Sequence, residues 1–87
     1  MNPAAITIRR KKADFHHIYR RCPNVLLISP NRWIDLRDGL MADAEESGSL
    51  QPLRPLLTDP HTYDGMLVAH PSDVLSDVCE VAYVPNL

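Results

Sequence analysis

"NVLLISPNRWIDLRDGL", residues 24–40, joins two hydrophobic patterns at a single turn. Residues 24–29 form a continuous apolar run of strand length, the pattern of a strand buried on both faces. Ser29 suits a helix N-cap, and Pro30 suits the first helical position, where a missing N–H costs nothing. Trp33, Leu36, Leu40, Met41 and Ala44 then recur at helical spacing, while Arg32, Asp35, Asp38, Asp43, Glu45 and Glu46 fall on the opposite side. Gly48, just after Ser47, supplies a stop, because glycine readily takes the left-handed conformation that closes a helix. The spacing predicts a strand over 24–29 and a helix over 30–46.

Downstream, "LRPLLTD" reads as a short strand that Pro55 confines to an edge. "DPHTYDG" is rich in turn residues, with Asp64-Gly65 a strong reversal signal, and "MLVAH" resumes as a strand. Strands around 54–58 and 66–70 would pair as a hairpin across a loop. "PSDVLSDVCEVAYV" divides into a short helix over 72–79 and a strand in which Cys79, Val81 and Tyr83 share one side. Such a helix is too short for a standard parallel crossover.

Upstream lies "ITIRRKKADFHHIYRRCP", residues 6–23. Its β-branched alternation predicts a strand over 4–10, with a helix starting behind Asp14. The alternative is one helix capped by Asn2 and Pro3, with Ala5, Ile8, Phe15, Tyr19 and Cys22 at helical spacing. Strand-then-helix is favoured, because Ile-Thr-Ile is a poor helical run and Lys12 interrupts the apolar stripe. The expectation is an α+β (or small α/β) single domain with a small mixed sheet and two to three helices. A basic segment (1–21) precedes the strand–helix unit (24–46) and a β-rich part (53–84). The expected core is Val25, Leu26, Leu27, Ile28, Trp33, Leu36, Leu40, Leu67 and Val68.

The chain has 87 residues, 45% hydrophobic and 23% charged, a globular rather than a disordered composition. Its longest uncharged run, "CPNVLLISPN", has ten residues, where a membrane helix needs about twenty. The first residues lack the apolar h-region of a signal peptide. Both features fit a cytoplasmic protein. Cys22 and Cys79 are too few and too far apart for a disulfide framework, and core packing as free thiols is the expected role of both.

A net charge of −2 conceals an imbalance: residues 1–21 carry +5 and residues 22–87 carry −7. Arg9, Arg10, Lys11, Lys12, Arg20 and Arg21 supply the positive end and are the candidate partner-binding residues. Such a molecule can attract an anionic partner or dock head-to-tail on itself. Phe15 and Tyr19 beside those cations suit base stacking, which makes nucleic acid an alternative. A pI near 6.0 and an acidic remainder favour a protein partner or self-association.

Catalytic motifs are missing: there is no Gly-rich phosphate loop, no G-x-S-x-G elbow and no H-E-x-x-H pair. His16, His17, Cys22, His61, His70 and Cys79 are chemically able to bind a metal, but lack the paired spacing of a structural site. Asp35 and Asp38 lie three apart on one helix face, beside Arg32 and Arg37, which suits solvated helix pairs. His70, Ser72 and Asp73 are a Ser/His/Asp set in composition only, since near neighbours rarely reach triad geometry. A small metal-dependent or hydrolytic enzyme ranks third. The sequence implies no cofactor, no metal and no catalytic residue.

The order within residues 24–70 resembles an arrangement found in small tailed-bacteriophage proteins and in peripheral domains of phage capsid proteins. There, a strand passes through a Ser-Pro or Asn-Pro turn into a Trp-bearing helix, then a short strand, a "D-P" turn and another strand. The resemblance implies a phage or prophage product, either a virion accessory or an inhibitor of a host protein. It implies no site residue.

Overall fold

The computed structural model describes residues 3–72 and 77–86. The chain is α+β: helix α1 (Pro3–Tyr19), strand β1 (Val25–Ile28), helix α2 (Pro30–Ser47), a 3₁₀ segment (Gln51–Leu56), then strands β2 (Thr62–Tyr63), β3 (Met66–Ala69) and β4 (Cys79–Ala82). The four strands form one mixed sheet in the order β2-β3-β1-β4. β1 runs parallel to β3, with Val25 opposite Leu67, and antiparallel to β4, with Leu26 opposite Val81. β1 is therefore central, and α2 is the crossover that carries the chain from β1 to its parallel neighbour. Both helices supply residues to a core on one face of the sheet: Ile8 of α1, Trp33, Leu36 and Leu40 of α2, and Leu26, Ile28, Met66 and Cys79 of the strands.

The strand–turn–helix unit forms as the sequence predicts. Pro30 opens α2, and the Gly48 N–H closes it on the Ala44 carbonyl at a φ of 69°. Ser29 sits at the cap position but its side chain makes no capping bond. Several expectations require correction. Residues 4–10 are helical, within a single α1 that continues past Asp14. Ala4, Ala5 and the Arg-Arg-Lys-Lys-Ala run favour helix strongly enough to carry Ile6-Thr7-Ile8, and Thr7 donates its hydroxyl to the Pro3 carbonyl one turn back. Lys12 does not break the buried stripe: it is half-buried one turn from Ile8, and its ammonium reaches Asp64.

The predicted 54–58 strand is a 3₁₀ turn, since Pro52 and Pro55 fix φ and withhold the N–H groups a ladder needs. The hairpin is instead β2–β3, joined by Asp64 (φ 51°) and Gly65 (φ 81°), a two-residue turn with both centres left-handed. β1 is buried on one face only: Leu26 and Ile28 are covered, whereas Val25 and Leu27 are half-buried. Leu67 and Val68 are likewise half-buried, while Ile8, Ala44, Met66 and Cys79 join the core. Cys22 is exposed, not packed. Residues 73–76 of the predicted 72–79 helix lie outside the described residues; 72, 77 and 78 are not helical, and Cys79 opens β4. Among the described residues no helix is long and apolar enough to cross a membrane.

Candidate functional site

The six basic residues do not form one patch. At 100° per residue, Arg9, Arg10, Lys11 and Lys12 point around α1 rather than along it. Lys11 meets Glu80 of β4 at 3.0 Å, and Lys12 meets the Asp64 carboxylate at 3.2 Å and its carbonyl at 2.8 Å. These two lysines tie α1 to opposite borders of the sheet. Arg9 lines a hollow with Leu40, Pro52, Pro55 and Tyr63. Arg10 is exposed on the outer side of α1.

Arg20 and Arg21 belong to a different environment. Arg20 ends α1 in the left-handed conformation, its N–H bonded to the His16 carbonyl. The Arg21 guanidinium lies 4.6 Å from the centre of the Tyr83 ring. Neither arginine has an ion-pair partner among the described residues. Beside them, the Phe15 and Tyr19 rings pack 4.5 Å apart, one helical turn from each other. Two adjoining hollows run between α1 and β4. One is lined by Lys11, Asp14, Phe15, Ile18, Glu80 and Val81, the other by Phe15, Tyr19, Arg21, Val81, Ala82 and Tyr83. Ile18 is 67% exposed, Tyr19 60% and Tyr83 41%. The groove therefore has an apolar, aromatic floor and cations at one end. The alternating Cys79, Val81 and Tyr83 signalled the strand side of this groove, and Phe15 and Tyr19 its aromatic helix side, but Ile18 carried no separate signal.

The groups with reactive chemistry stay apart. Among the described residues no cluster of three or more His, Cys, Asp or Glu side chains could hold a metal. His61 stacks on Trp33 with ring centres 5.4 Å apart, and His70 meets Trp33 edge-on at 6.3 Å. His70 Nδ1 lies 2.8 Å from the Ile28 carbonyl, which requires that nitrogen to carry the proton and donate. A cavity of about 360 Å³ between the first turns of α1 and α2 is lined by Thr7, Ile8, Ile28, Arg32, Asp35 and Cys79. Burial pushes the Cys79 thiol above its ordinary range, with Arg32 and Lys11 opposing that shift, so it remains protonated and poorly nucleophilic near neutrality. Arg32 holds Asp77 through two hydrogen bonds, and Asp77 titrates below the usual aspartate range because of that bonding. Asp38 pairs with Arg37 at 3.5 Å, an ordinary helix-surface contact. Asp73, of the compositional triad, lies outside the described residues.

No protein-family model, no curated protein and no solved structure matches this chain.

Proposed function

We propose that this chain is a small non-enzymatic interaction protein that presents the α1–β4 side to a protein partner. The observation that carries this reading is the groove itself: exposed Ile18, Tyr19 and Tyr83 beside Arg20 and Arg21, whose charges no described side chain neutralises. Aromatic residues and arginine are the side chains that most often anchor protein interfaces. The protonated Cys79 and the scattered histidines support recognition over reaction. The phage resemblance makes a virion accessory or an inhibitor of a host protein the preferred version, acting in the host cytoplasm.

Affinity capture from the source cell with the parent chain and with a Tyr19→Ala/Arg20→Ser/Arg21→Ser variant tests the reading. A protein captured by the parent and lost from the variant is expected. Equal capture by both would remove this surface from the function. Mobility shifts with single-stranded oligonucleotides across a salt series test the alternative, because phosphate contacts weaken steeply as salt rises.

A further inference from the structure

β4 is the last strand of the sheet order, and among the described residues nothing pairs with its outer edge. The ladder fixes which backbone groups that edge presents. Ser29 N–H donates to the Val78 carbonyl, and the register then pairs Leu27 with Glu80 and Val25 with Ala82. Antiparallel bonding alternates, so residues 78, 80 and 82 turn their N–H and C=O groups toward β1, while Cys79 and Val81 turn theirs outward. Beyond the strand, the Asn24 carboxamide continues the pattern. Its Oδ1 accepts from the Val84 N–H and its Nδ2 donates to the Val84 carbonyl, so Tyr83 also faces outward.

The outward groups of Cys79, Val81 and Tyr83 border the groove beneath α1. Cys79, Val81 and Tyr83 also send their side chains to the face that α1 covers, with Val81 and Tyr83 lining the two hollows. We infer that an extended segment of a partner protein adds as a fifth strand on β4, placing alternate apolar side chains in the two hollows and acidic residues against Arg20 and Arg21. This rests on the interaction reading and specifies its mode. Main-chain bonds would supply affinity and the hollows would supply specificity, as in other strand additions. Arg21 lines one end of the groove, with Arg20 next to it in the chain, and neither has an ion-pair partner among the described residues, so that end selects carboxylates. A second copy is the poorer occupant: adding its own β4 would bring its own α1 to the same side of the sheet, crowding the groove.

The probe is a display library of random octapeptides, followed by blocked synthetic forms of the enriched sequences. Enriched peptides should alternate apolar and polar residues and carry Asp or Glu at one end. Their binding should shift the amide resonances of Cys79, Val81 and Tyr83. Val81→Pro removes only an outward N–H, and proline is tolerated at such edge positions. It should weaken binding about tenfold, the effect of one lost hydrogen bond. If Val81→Pro does not fold, Arg20→Glu/Arg21→Glu serves instead: it should bind lysine-substituted peptides more tightly than the acidic originals. An empty selection, undiminished binding by Val81→Pro, or shifts confined to Val25, Leu27 and Leu67 would overturn strand addition. If a captured protein partner still binds Val81→Pro fully, strand addition fails while the interaction reading stands. A parent that dimerises through this edge would assign it to a second copy. Salt-sensitive oligonucleotide binding lost with the two arginines would overturn both readings.

Discussion

Lys12 and Arg10 sit two positions apart in one basic run, yet the fold gives them different work. Lys12 is largely covered and holds both the carboxylate and the carbonyl of Asp64, whereas Arg10 faces outward. Lys12→Ala should lower the unfolding free energy by about 1 kcal/mol, the upper end for partly exposed pairs, and Arg10→Ser should change it by less than about 0.5 kcal/mol. Urea denaturation of the two variants checks the difference. The two cysteines separate as sharply. A thiol reagent should modify Cys22 at once and reach Cys79 only on unfolding, because Cys22 is exposed and Cys79 is buried with a raised pKa. Intact mass after timed labelling reads this directly. Asp77 provides a test by pH. Its folded pKa lies below the unfolded value, so the pair with Arg32 contributes stability above the ordinary aspartate range, near pH 3.9, and loses it as the pH falls through the depressed value. Melting curves at successively lower pH should show a component that Asp77→Asn abolishes; both partners are exposed, so it is small.

Among the elements, the β2–β3 turn is the most sequence-determined. Gly65 has a φ of 81° and open space around the position a Cβ would take, so its substitution meets conformational strain alone. Gly65→Ala should therefore cost about 1 kcal/mol with no change in the sheet, measurable by urea denaturation and far-UV circular dichroism. This turn was legible as Asp-Gly, and α2 was legible from Pro30 to Gly48 because the opening proline, the apolar spacing and the glycine stop agreed, although Ser29 makes no side-chain cap. α1 was not, because Ile6-Thr7-Ile8 states a strand preference that its alanine and lysine neighbours override. The strand expected at 54–58 failed for the opposite reason: Pro52 and Pro55 together outweigh its leucines. The groove was only half legible. The basic residues were visible, but their division into sheet ties (Lys11, Lys12) and an open pair (Arg20, Arg21) depends on helical phase and on which strand lies at the border.

At the scale of the molecule, two helices cover one face of a four-stranded sheet and leave Val25, Leu27, Leu67, Ala69 and Ala82 half-buried on the other. The core therefore depends on a few fully covered side chains. Ile8 is the residue of α1 that is completely buried, and Leu36 occupies the equivalent place in α2. Ile8→Ala should cost about 3 kcal/mol, a large share of the stability of a domain this size. Thermal unfolding followed by circular dichroism would show a lowered midpoint with α2 and the sheet lost in the same transition.

The sheet order also fixes when folding can happen. β1 is made early, but its two neighbours, β3 (Met66–Ala69) and β4 (Cys79–Ala82), come much later, and Val25 can meet Ala82 only once residue 82 has been synthesised. During translation, Val25–Ile28 must wait as an unpaired apolar run, while α1 and α2 have no sheet to lie on. The domain is obliged to fold as a single event once β4 is available rather than progressively from its first residues, since long-range pairing must meet its closure entropy before gaining contacts. Nascent chains stalled at successive lengths should stay protease-sensitive until residue 82 has cleared the ribosome, then become resistant together.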